Sequence, residues 1–518
     1  MTASLADRFE AIVDTCAELL AVDTGTTEIT FAALDRRANR VANWLRSLGF
    51  APGERIGLAL WNRVEHLELL LGTFKAGMIP VNVNCRYTAT EAEALLVDAG
   101  VPLVVHEPTS TMTMSDASTG HDWMTLAIGP DYVDAVGAAS SKRPRVARSG
   151  ADHYLLYTGG STGTPKGVLW RQDDLFAATM PGADRRRPGA TRMLPASPLT
   201  HGTAQWITLS TLLSAGTVVL GPLHGLDPAA LWTRVAEARV SRLVIVGDAF
   251  ARPLLDALDA EPDRWDLSAL VAITSGGARW SAATRYGLLG HLPHVAMVNS
   301  FGATESGGQG SQVSFAGRVP TTEVGLLRFD PDDTTVVLDE HFEPIEAGSG
   351  TIGKLAQRGP VPLGYFNDPK RTEATFPVID GVRHAIPGDL ATIDANGEIV
   401  VLGRDRNVIN TGGEKVFAEE VEARLTSHPD VTEAVVVGIA DDRWGESIAA
   451  LVMVRPGVEV PDDALVAHCA ATLARFKIPR HIRVVEAIRY LPTGKLDRSW
   501  AADTISTSMP RRERSEKP

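Results

Sequence analysis

Apolar residues in the first hundred positions switch repeatedly between two periods. Leu34, Ala38, Val41, Ala42, Leu45 and Leu48 recur three and four apart, which puts them on one face of a helix. Pro52-Gly53 then marks a turn, and the unbroken run at 55–60 reads as a buried strand. The spacing predicts a helix over 65–76, an extended stretch at 79–83, a helix opened by a Thr88/Glu91 capping box, and a strand at 101–105. Such alternation implies a parallel or mixed sheet covered by helices. Residues 107–152 are polar and predict no definite element. Runs at 217–220, 242–246 and 270–274 predict further inner strands, and the Gly/Pro-rich 181–189 predicts an exposed loop.

The texture changes near residue 404. Asn396-Gly397 predicts a hairpin turn between strands at 391–394 and 398–402. Beyond it lies a compact α+β pattern, with helices at 417–425 and 463–476 and strands at 433–438, 448–454 and 482–485. The reading is α/β, with a large N-terminal domain of mixed sheets and helices (1–404), a small α+β domain (405–506) and a charged, disordered tail (507–518).

Composition narrows the class. With 50 Lys+Arg against 63 Asp+Glu, the 518-residue chain carries a net charge of -13, which argues against nucleic acid as a partner. Cys16, Cys85 and Cys469 are too few and too scattered for a disulfide framework or a zinc site, so a reducing cytoplasm is expected. No basic-then-apolar leader and no apolar run near the ~20 residues of a transmembrane span is present. The chain is compatible with a homodimer.

The richest stretch is Tyr157-Thr-Gly-Gly-Ser-Thr-Gly-Thr-Pro-Lys-Gly167. Four glycines, four hydroxyl residues and a lysine suit a loop whose N–H groups converge on phosphate. It is not a Walker A loop, which needs a glycine five residues before its Gly-Lys-Ser/Thr ending.

This stretch resembles the phosphate loop of the adenylate-forming enzymes (acyl-CoA synthetases, luciferases and nonribosomal adenylation domains), with Gly159 where the family form has serine. Four more segments resemble family motifs in the same order: 299–305 (NSFGATE), Gly388-Asp389, the signature 403–422 and 491–495 (LPTGK). The wording of 198–206, 246–250 and 409–415 is similar to actinobacterial long-chain and steroid side-chain acyl-CoA ligases. Three departures stand out. Arg406 occupies the hinge position, where the family has Asp or Lys, Ala418 replaces a common proline, and the segment before Gly494-Lys495 lacks the usual Arg-Thr/Ser wording.

The resemblance implies a two-step reaction. A carboxylate attacks the α-phosphorus of ATP, releasing pyrophosphate, and the thiol of coenzyme A then displaces AMP. Substrates supply both nucleophiles, so the protein must position them and neutralise charge. By resemblance, Thr158, Gly159, Gly160, Ser161, Thr162, Gly163 and Lys166 wrap phosphate. Gly276, Gly277 and Ala278 face adenine; Ser300, Phe301 and Gly302 line the nucleotide. Thr304 meets a phosphate oxygen and Glu305 holds Mg²⁺. Asp389 accepts from the ribose, Arg404 assists, and Lys495 neutralises the α-phosphate. His201 gates the carboxylate pocket, the small domain turns about Arg406, and Thr411, Gly412 and Gly413 face coenzyme A.

Trp206, Val246, Phe250, Gly277, Gly302 and Gly307 approach the acyl group by family position. Their glycines imply either space for a bulky apolar acid, fatty or steroid, or plain backbone packing. An acyl-AMP ligase that loads a carrier protein, and a non-catalytic nucleotide-binding protein of the same fold, are the alternatives.

Overall fold

The computed structural model describes residues 2–108, 123–158, 166–183, 188–222, 225–317, 326–411, 414–441, 443–491 and 495–508. The predicted helix is Phe31–Ser47, opened by Thr30, whose hydroxyl accepts from the Ala33 N–H. Its apolar stripe is buried and packs on the helix Val64–Lys75. The two helices cross closely at Gly72, where an added Cβ would lie 2.5 Å from the Val41 side chain. Burial of each large apolar side chain along this seam contributes roughly 1.5–3 kcal/mol. The Thr88/Glu91 capping box is formed on Ala89–Ala99.

Two large sheets build the main lobe. One has seven strands, in the order Gly364–Tyr365, Lys166–Arg171, His153–Thr158, Ile79–Asn82, Arg55–Ala59, Leu103–His106 and Met124–Ala127. Its central strands are parallel and covered on both faces, which explains their unbroken apolar runs. The other has eight strands, running from the edge hairpin Ala296–Ala303/Gly307–Ser314 through Ala272–Gly276 and Arg242–Ile245 to the N-terminal strands.

A third, antiparallel sheet carries Asp389–Ile393 beside Ile399–Arg404, joined by the Asn396-Gly397 turn with Gly397 at φ +89°. Arg404 ends this sheet. The next strand, Val408–Thr411, belongs to a fourth sheet with Glu414–Phe417, Val431–Asp441, Gly445–Val454 and His481–Val484. Helices Ala418–Thr426, Asp462–Ala470 and Arg498–Ser508 flank it. Among the described residues no helix is long and apolar enough to cross a membrane.

Several boundaries differ from expectation. The stretch 107–152 contains a strand, Met124–Ala127, and a helix, Pro130–Gly137. The helix expected over 463–476 stops at Ala470 and resumes as a short 3₁₀ turn, Arg475–Lys477. Residues 507 and 508 finish the helix Arg498–Ser508, and the remaining tail lies outside the described residues.

Candidate active site

Thr158 and Lys166 face each other across the antiparallel pair His153–Thr158/Lys166–Arg171, so the two ends of the glycine-rich loop are fixed side by side. Gly159, Gly160, Ser161, Thr162 and Gly163 lie outside the described residues, as do Gly412, Gly413 and Gly494. The Lys166 ammonium stands 5.8 Å from the Tyr365 ring centre. Tyr365 reaches this place because Gly364–Tyr365 pairs as an edge strand with Val168 and Leu169. Its hydroxyl donates to Glu305 Oε1 at 2.9 Å. Burial, then the Glu305 charge, pushes the phenol well above its usual range, so it remains a donor. Next to it, the Trp170 indole N–H donates to the Thr304 carbonyl at 3.0 Å, which pins the turn that carries Glu305.

Asp389 and Arg404 are direct cross-strand partners in the third sheet. Arg404 Nε binds Asp389 Oδ1 at 2.7 Å. The other carboxylate oxygen, Oδ2, is buried and has no hydrogen-bond partner. Burial raises Asp389, and Arg404 only partly offsets it. A buried acceptor without a donor costs ~1–3 kcal/mol, so this oxygen is suited to a hydroxyl-bearing ligand.

Lys495 arrives from the small lobe. It is exposed to solvent, yet protein surrounds it closely enough to lower its pKa. Crowding is the main cause; the Arg404 and Arg406 charges add to it, while Glu305 and Asp389 oppose it. Lys166 is lowered likewise, by burial and then by Arg371, with Glu305 opposing. Four cations, Lys166, Arg404, Arg406 and Lys495, thus act on the two carboxylates Glu305 and Asp389 from both sides of one cleft. The excess of positive charge suits a polyphosphate.

His201 precedes the helix Gly202–Leu212 and faces the same cleft. Burial, with the Arg86 and Lys495 charges, lowers it to about 4. Its imidazole is therefore neutral at pH 7 and cannot form an ion pair with a carboxylate. In a proton NMR titration from pH 5 to 8, the His201 ring signals are expected to stay unshifted. A His201 midpoint near 6.5 would contradict this assignment.

The turn after Ala272–Gly276 holds Gly277 at φ +86°, a conformation that favours glycine. Thr203 lies against both glycines of this turn, its side chain 3.2 Å from a Cβ placed on Gly276. Ser300, Phe301 and Gly302 lie on the adjacent strand Ala296–Ala303, and Phe301 stacks on Phe329.

Packing accounts for two of the acyl-pocket glycines. A Cβ on Gly302 would sit 2.1 Å from the Gly307 carbonyl oxygen, and Gly307 at φ +74° presses on Ala178. They are required by a bulged strand pair, whatever else they border. Trp206 is buried, its indole donating to the Tyr154 hydroxyl at 3.1 Å. Val246 is buried just past the strand Arg242–Ile245, and Phe250 is half-buried in the first turn of the helix Asp248–Ala260. Thr411 is buried at the end of its strand, and Arg406 sits in a 3₁₀ turn, Asp405–Asn407, between the two lobes. Sequence reasoning missed Tyr365, because an aromatic residue after a glycine in a two-residue strand carries no distinctive signal.

Comparison with known proteins shows the family. The family profile "AMP-binding enzyme" matches residues 9–366, and "AMP-binding enzyme C-terminal domain" matches 420–495. The chain is 35% identical over 543 residues to a 3-oxocholest-4-en-26-oate–CoA ligase of Rhodococcus rhodochrous, covering 97% of this chain and 96% of that one. It is 36% identical over 538 residues to a medium/long-chain-fatty-acid–CoA/3-oxocholest-4-en-26-oate–CoA ligase of Mycolicibacterium smegmatis, with the same coverage. Among solved structures it is similar to ATP-bound MatB from Rhodopseudomonas palustris (27% identity, 97% of this chain and 99% of that one, TM-score 0.85). Against the apo form of the same protein, at the same identity and coverage, the TM-score is 0.78.

Proposed function

We propose, from the premise that this chain belongs to the AMP-binding enzyme family, that it is an ATP-dependent carboxylate–CoA ligase acting on a fatty or steroid side-chain acid. The observation that carries the reading is the unpartnered Asp389 oxygen in a cleft ringed by four cations. A ribose hydroxyl satisfies the first feature and a triphosphate the second. The acid class is supported by the names of the relatives and by the lack of any assigned cation for a second acid group.

In this reading, residues 158–166 hold the β- and γ-phosphates, the turn 276–278 receives adenine and Asp389 binds ribose. The substrate carboxylate passes the neutral His201 without being trapped as an ion pair and attacks the α-phosphorus in line. Lys495 neutralises the charge that builds up there, with Arg404 alongside. Arg406 adds a cation, as a hinge lysine would and a hinge aspartate would not. Glu305, held by Tyr365, would bind Mg²⁺. Among the described residues no group of three or more metal-ligating side chains occurs, which suits an ion held mainly by phosphate oxygens. When bound, that ion supplies further charge neutralisation.

For the second step we take residues 1–404 as the fixed lobe and 405–506 as the moving one. Rotation about Arg406 withdraws Lys495 and brings 411–413 to the thiol. The higher TM-score with the ATP-bound relative than with its apo form supports the present arrangement as the adenylating one. The three cysteines are free, which supports a cytoplasmic setting.

Incubation with ATP, Mg²⁺ and a panel of acids, with and without coenzyme A, tests this. Pyrophosphate release followed by an acyl-CoA thioester is expected. Release of AMP only to a carrier-protein thiol would favour the carrier-loading alternative, and no acid-dependent pyrophosphate exchange would leave only nucleotide binding.

A further inference from the structure

The two lobes meet in a second place, away from the nucleotide cleft, at Arg279. This residue is two positions beyond Gly277, and its carbonyl accepts from the Asp248 N–H at 3.0 Å. Its side chain leaves the main lobe and grips the helix Ala418–Thr426. Nη2 donates to Thr426 Oγ1 at 2.8 Å and Nη1 to Glu422 Oε2 at 3.4 Å. Glu422 is fully buried, and its other oxygen accepts from the Val436 N–H at 2.9 Å and from Arg498 Nη1 at 2.5 Å. Arg498 opens the helix Arg498–Ser508 three residues after Lys495, and it also pairs with Glu419 at 3.3 Å. Arg252 reinforces the same seam by donating to the Thr432 carbonyl at 3.5 Å.

A continuous chain of charged contacts thus runs from the adenine turn through Arg279, Glu422 and Arg498 to the segment that bears Lys495. Rotating the small lobe must break its first link, because Arg279 belongs to one lobe and Glu422 and Thr426 to the other. We propose that Arg279 is a positioning residue for the first half-reaction only, a clamp that fixes the angle at which Lys495 is delivered and is released before thiolysis. The assignment rests on the ligase reading above.

A titrating group sits in the seam. Glu433 is raised to about 8 by burial and then by the Asp248 carboxylate, against the opposing charges of Arg279 and Arg252, with Glu422 adding to the rise. The Tyr490 hydroxyl donates to it. Where the main lobe supplies that burial, the docked lobe holds a proton that the free lobe releases. Docking is therefore strongest at low pH and weakens as pH climbs towards about 8, after which the dependence flattens.

The test separates the half-reactions. In Arg279→Ala, acid-dependent pyrophosphate exchange is expected to fall on the order of 10-fold, while thiolysis of supplied acyl-adenylate by coenzyme A is unchanged or faster. Arg279→Lys recovers part of the loss, and Thr426→Val, which removes the acceptor on the opposite lobe, lowers exchange in the same direction. The ratio of wild-type to Glu433→Gln exchange rates falls as pH rises from 6 to 9. Equal loss of both half-reactions in Arg279→Ala and Thr426→Val, or unchanged exchange in Arg279→Ala, overturns the clamp. If wild-type protein exchanges pyrophosphate with no acid, the ligase reading fails instead. The clamp is then judged by small-angle scattering, where Arg279→Ala must show a larger radius of gyration than wild type, and an equal radius refutes it.

Discussion

Lys495→Ala is expected to slow acid-dependent pyrophosphate exchange by about 10²–10³-fold, with ATP binding changed far less. The reason is where the charge lies. In the proposed complex the ground-state triphosphate would already have Lys166, Arg404 and Arg406 around it. Only when the carboxylate adds to the α-phosphorus does new charge appear on the side that Lys495 approaches. Surrounding protein and the Arg404 and Arg406 charges have already lowered the lysine, so an anion brought to it relieves that repulsion. Thiolysis of added acyl-adenylate by coenzyme A should survive the substitution, because the lysine is withdrawn by then. Stopped-flow measurement of each half-reaction checks both statements; comparable losses in the two would remove Lys495 from the role given to it.

The second large effect concerns stability. Lys75 is fully buried, with its ammonium 2.5 Å from Glu10 and 2.7 Å from Asp35. Arg148 binds the same Glu10 at 2.8 Å, Arg143 approaches Asp35 at 3.4 Å, and Asn39 donates to Asp35 at 3.0 Å. The cluster joins the N-terminal helix Leu5–Cys16 to the helix pair beneath it. Lys75→Ala leaves two buried carboxylates short of a cation and opens a void. A loss of about 3–5 kcal/mol is expected in urea unfolding of the main lobe, and a change below about 1 kcal/mol would show the cluster to be dispensable.

Acid should attack the same place. Burial alone would raise Glu10, but hydrogen bonds and charge from Arg148 and Lys75 outweigh it and hold the carboxyl below its usual value of 4.5. Its contribution is therefore complete above the ordinary carboxylate range and is lost as pH falls through the depressed value. Wild type should lose stability across that window more steeply than Lys75→Ala.

What could be read from the amino-acid order followed the strength of each local signal. The helix Phe31–Ser47 and the parallel strands were legible because both faces of those strands, and one face of that helix, are buried. Met124–Ala127 and Pro130–Gly137 were not, because each presents large apolar side chains to water: Met124 is 50% exposed and Val133 63%. In the helix the buried face is only Tyr132 and Val136, too short a repeat to stand out. The stop at Ala470 has no glycine or proline to announce it, and the buried Leu473 continues the apolar pattern past the true end.

At the site, motifs located Asp389, Arg404, Glu305 and Lys495, but not how they would be arranged. That Asp389 and Arg404 are cross-strand partners depends on the register of a hairpin. The bulge between Leu390 and Ala391 sets that register, and it is invisible in the residue order. Gly302 was equally ambiguous on paper. Only the approach of the Gly307 carbonyl shows that its missing side chain answers to backbone geometry.

The lone Asp389 oxygen has a wider consequence. A folded chain normally pairs its buried polar groups, and Asp389 Oδ2 is left without a partner in the cleft proposed here to receive a ribose. The resting protein is thus locally frustrated, and the cognate guest is what completes its interior. Heat resistance and occupancy should therefore rise together, and a nucleotide stripped of its sugar hydroxyls would settle in the cleft without calming it.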